Sequence, residues 1–170
     1  MHGEFANVAA GKENRLYDIG IGAEGEFRAV HGEDSAVVQW LDALAADLAQ
    51  APPALQARAL AARARALNAQ DRIGEAAALL QEAIERLRSA PGSRIEMGRL
   101  LDSLARNSIR RGDLADALLH TQRALNVLDT VDAAADRAGT LVLQGALLLN
   151  LSRGADAEAS LEQARALEGE

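Results

Sequence analysis

Small residues recur in this chain as pairs seven positions apart. Ala76 pairs with Ala83, Ala117 with Ala124 and Ala159 with Ala166, and Ala36 with Ala43 echoes the pattern. Seven residues are two helical turns, so both members of a pair lie on one helix face. A small residue there lets a neighbouring helix approach closely. An acid or serine precedes each first member: Ser35, Glu75, Asp116 and Glu158. The units are 40, 41 and 42 residues apart. A period of that size marks stacked helix pairs, because one pair cannot bury its apolar face alone.

The clearest unit surrounds Arg111-Gly112-Asp113. Upstream, Leu100, Leu101, Leu104, Ala105, Ser108 and Ile109 recur at helical spacing over 95–110. Gly112 ends that helix, since glycine takes the left-handed conformation a helix terminus needs. Downstream, Leu114, Ala117, Leu118, Leu125 and Leu128 restart the period. The same reading predicts helices from Pro53 to about Gln70, over Ile73–Arg88, from about Asp132 to Leu151, and over Ala155–Leu167. Pro52-Pro53, Asp71-Arg72, Pro91-Gly92 and Ser152-Arg153-Gly154 are the predicted breaks. Ser93-Arg94-Ile95-Glu96 has the form of a capping box, and Asp132 is placed to cap the helix it precedes.

The predicted organisation is an N-terminal arm over 1–33, then repeats over 34–170. These divide into a half repeat at 34–51 and whole repeats at 53–90, 93–130 and 132–168. The arm is rich in glycine and acid, shows no sustained helical period and reads as loosely structured. All four aromatic residues, Phe5, Tyr17, Phe27 and Trp40, lie in the first quarter of the chain. The remaining core must therefore be leucine and alanine, which are strong helix formers.

Composition also restricts function. The net charge of -7 argues against general affinity for nucleic acid or anionic membrane. No run is long and apolar enough to span a bilayer, and the first residues lack a secretory pattern. There is no cysteine, so thiol chemistry is excluded. A cytoplasmic setting is expected. Gly20-Ile21-Gly22-Ala23-Glu24-Gly25 fits a dinucleotide-binding fingerprint, but no helix follows it and Glu24 and Glu26 would repel phosphate. A glycine turn is the better reading, and a nucleotide-binding enzyme is the least favoured function. His31, Glu33 and Asp34 share one loop and do not make a converging metal site. His120 is expected at a surface or between repeats. No arrangement suggests a nucleophile, so no catalytic residue, cofactor or metal is expected.

These residues resemble the tetratricopeptide repeat family, in its long-period class. That motif takes a large apolar residue in the first helix, a small one four later, glycine at the turn, and small residues seven apart in the second helix. Leu101, Ala105, Gly112, Ala117 and Ala124 match it. Leu60, Ala64, Ala76 and Ala83 match, with Asp71 at the glycine position. Leu143, Gly154, Ala159 and Ala166 match, with Leu147 at the small position. The family's aromatic positions and closing proline are missing, and the period exceeds its common 34. The resemblance implies an all-α, right-handed helical-repeat solenoid of antiparallel helix pairs.

In that family the first helices line a concave groove. By motif position Arg58, Arg65, Arg99, Asp102, Arg106 and Arg110 would face it, followed by Leu141, Leu148 and Leu151 in the last unit. The expected groove is basic in its first units and apolar in its last. Arginine forks suit carboxylates, so an acidic protein or peptide is the expected partner. The positions of the family's clamp for a terminal carboxylate read Ala61, Arg65 and Ser103, which does not fit that clamp. The expected function is a non-catalytic protein- or peptide-binding module, a scaffold or sensor segment of a regulatory system. The alternative is a homodimer or larger self-assembly through the apolar last helix pair.

Overall fold

The computed structural model describes residues 49–88, 90 and 92–168. Within them are six α-helices: α1 Pro53–Ala69, α2 Ile73–Arg88, α3 Arg94–Arg110, α4 Leu114–Leu128, α5 Ala134–Asn150 and α6 Gly154–Glu168. Among the described residues there is no strand. The fold is an all-α repeat of helical hairpins. The arm, most of the half repeat, the Gly20–Gly25 motif and the His31 cluster lie outside the described residues. The chain divides into two compact units, Met1–Ser89 and Ala90–Glu170.

In the first unit α1 packs against α2. Pro53 opens α1 at a position where its missing N–H costs nothing. The interior of α1 is almost pure alanine: Ala57, Ala59, Ala62, Ala64 and Ala66 are buried, with Leu67. From α2 come Ala76, Ala77, Leu80, Ala83 and Leu87. Alanine combines the highest helix propensity with the smallest side chain, so the helix backbones can lie close.

In the second unit α3 packs on α4, α4 on α5 and α5 on α6, and α3 also touches α5. This core carries polar side chains. Asn107, Ser108, Thr121, Thr140, Gln144 and Ser160 are all buried. Gln144 on α5 donates to Gln122 Oε1 on α4 at 3.3 Å and accepts from the Ser160 hydroxyl on α6 at 3.1 Å. Ser160 also reaches the Asp156 carbonyl at 3.0 Å. One amide thus ties three helices together.

The three hairpins share one turn. Asp71, Gly112 and Ser152 have φ of 62°, 78° and 58°. The next N–H, of Arg72, Asp113 and Arg153, donates back to the carbonyl of Leu67, Ser108 and Leu148 at 2.9, 2.9 and 2.8 Å. This is the Schellman closure of a helix end. Only Gly112 is the residue that geometry favours; Asp71 and Ser152 hold the left-handed conformation with a side chain. The second helix then opens on local polar contacts. Asp113 accepts from the Asp116 N–H, Arg72 pairs with Glu75 and Arg153 pairs with Asp156. The hydrogen bond from Arg72 holds the Glu75 carboxyl below the usual carboxylate range.

These hydrogen bonds fix which residues are equivalent: the units repeat after 41 and then 40 residues. That corrects the predicted register of the last unit by two. Ala159 and Ala166 are exposed; the buried small pair is Ala157 and Ala164. The turn residue is Ser152, and Gly154 is the first residue of α6. The position of Leu60 and Leu101 belongs to Leu141, and that of Ala64 and Ala105 to Gly145. Leu161 packs onto Gly145, where an added Cβ would lie 2.9 Å from it. Two predicted caps also fail. The Ser93 hydroxyl donates backwards to the Ala90 carbonyl at 2.7 Å and caps no helix N–H. Ala133 stands at the cap of α5, one residue beyond Asp132.

Candidate partner-binding face

The first helix of each hairpin presents an exposed face. On α1 that face carries Arg58, half-buried, and Arg65, exposed, seven residues apart. Arg58 Nη2 is buried and has no hydrogen-bond partner among the described residues.

On α3 the face carries Arg99, Asp102, Arg106 and Arg110. Arg99 reaches across to α5, its Nε and Nη2 donating to Asp136 at 2.8 and 3.1 Å. Arg106 Nε donates to Asp102 Oδ2 at 2.8 Å, one turn away on the same helix. Arg110 is exposed at the helix end. Both acids are more buried than the arginines they hold. Solvent-exposed pairs of this kind contribute little to stability, so they chiefly set where the guanidinium groups lie. The arginines of α3 thus stand on an exposed face, with Arg99 and Arg106 held by carboxylates.

The predicted apolar end requires correction. Leu141 and Leu148 are buried, each 4% exposed. Leu141 joins Leu125 and Ala164 in a core cluster, with Leu167 packed against it. Of the three predicted leucines only Leu151, at the cap of α5, is exposed. Leu147 is buried, Leu143 is half-buried and Ala146 is exposed. The outward residues of α5 are instead Ala135, Gly139, Val142, Ala146 and Leu149. Val142 is 47% exposed and Leu149 57%. These positions correspond to Arg99, Asp102, Arg106 and Ile109 on α3 from Gly139 onwards. The apolar face is real, but other residues make it. Val142 and Leu149 could have been found by aligning Ser152-Arg153 with Gly112-Asp113 instead of matching glycine to glycine.

His120 lies on α4, half-buried, with Nδ1 buried and without a hydrogen-bond partner among the described residues. Burial, aided by Arg123, pushes its pKa below the ordinary histidine value against the opposing pull of Asp116 and Asp113. Among the described residues no group of three metal-binding side chains converges. No helix there is long and apolar enough to cross a membrane.

No protein-family model matches the sequence, and no curated protein matches it significantly. Among solved structures, the crystal structure of BtubC (BKLC) from P. vanneervenii is similar, with a TM-score of 0.74 at 16% identity. The match covers 81% of this chain and 57% of that one. At this identity the likeness is one of fold.

Proposed function

We propose that this chain is a non-catalytic protein-binding module of the tetratricopeptide kind, working as a scaffold or sensor segment in a cytoplasmic regulatory system. The corrected register supports the family reading. Large residues stand at Leu60, Leu101 and Leu141, and small ones at Ala64, Ala105 and Gly145. Buried pairs follow at Ala76/Ala83, Ala117/Ala124 and Ala157/Ala164. The observation that carries the binding reading is the outer face of α5, where Val142 and Leu149 stand in solvent. Contiguous exposed apolar surface of this kind is typical of interaction sites.

The test is capture from a source lysate on the wild-type chain and on Val142→Glu/Leu149→Glu, with bound proteins identified by mass spectrometry. Both substitutions are at exposed positions, and equal helicity by circular dichroism checks that the fold survives. A protein retained by the wild type and lost by the variant is expected. Identical sets would refute the reading. Light scattering covers the alternative: a wild-type dimer that the variant dissolves would make the same face a self-assembly surface.

A further inference from the structure

We draw no further inference here: the strongest candidate, the exposed apolar patch of Val142 and Leu149 on the outer face of α5, carries nothing beyond the binding reading, because nothing in the structure shows what covers it.

Discussion

The middle hairpin, α3–α4, and the last, α5–α6, place different chemistry at equivalent positions. Arg99, Asp102 and Arg106 on the outer face of the middle hairpin become Gly139, Val142 and Ala146 on the last. Gly112 at the turn becomes Ser152. Inside, Leu104 becomes Gln144 and His120 becomes Ser160. Where the last hairpin joins Ser160 to Gln144 at 3.1 Å, the middle one leaves His120 Nδ1 buried and without a partner among the described residues. The backbone hydrogen bond that closes the turn, from Asp113 N–H to Ser108 and from Arg153 N–H to Leu148, is the same in both. Equivalence here is a property of the backbone, and a given position can carry almost any side chain that its degree of burial allows.

The largest effect that would break the comparison lies at the seam. Ala117 and Ala157 are both 0% exposed. Arginine at either is expected to cost roughly 3–5 kcal/mol, because a charge enters close packing. Ala159→Arg, two residues along, should change stability by no more than about 0.5 kcal/mol. Denaturant melts of the three variants check the register; a severe loss at Ala159 would restore the spacing of 42.

Next is the interior amide. Gln144→Leu gives the last hairpin the residue of the middle one and leaves Gln122 and Ser160 without their shared partner. The expected cost is about 1 kcal/mol, and Gln144→Leu/Ser160→Ala should recover part of it. A double-mutant cycle with no coupling would show that the network does not link the helices.

The turn is smaller still. Gly112→Ala should destabilise by about 1 kcal/mol, because alanine pays for a left-handed conformation. Ser152→Gly should stabilise by a few tenths to about 1 kcal/mol, since relief of strain outweighs the added freedom of the unfolded chain. Thermal melts read both signs, and equal effects in the same direction would contradict equivalent turns.

The smallest effect concerns pH. His120 is held below its ordinary value when folded, so the unfolded chain binds the proton more readily. Its contribution is fully present above the unfolded value, about 6.5, and is lost as pH falls through the lower folded value. The wild type should therefore lose melting temperature on acidification more steeply than His120→Gln. Parallel profiles would remove His120 as the cause.

Helix positions were legible because leucine and alanine recur at helical spacing and Pro53, Pro91 and Gly112 punctuate them. Helices α2 and α4 fall where the pattern put them. The last hairpin was misread for a physical reason. A glycine is the usual sign of a left-handed turn, and Gly154 drew the alignment two residues past Ser152, which holds that conformation without being glycine. That one shift sent Leu141 and Leu148 outward and concealed Val142 and Leu149. The Arg99–Asp136 pair was illegible because it joins residues on two helices whose side-by-side placement only the fold supplies.

Helix α6 buries only Ala157, Ser160 and Ala164 among its described side chains. In a stack where each helix leans on its neighbours, an element so lightly held opens locally long before the whole unit unfolds. Its amides should exchange with solvent faster than those of α4. Opening removes Leu161 from Gly145 and Ser160 from Gln144, so α5 loses the support of its hairpin partner. A ligand that requires an ordered α5 would draw this equilibrium towards closure. Occupancy of the outer face of α5 would then be reported as slower exchange in α6.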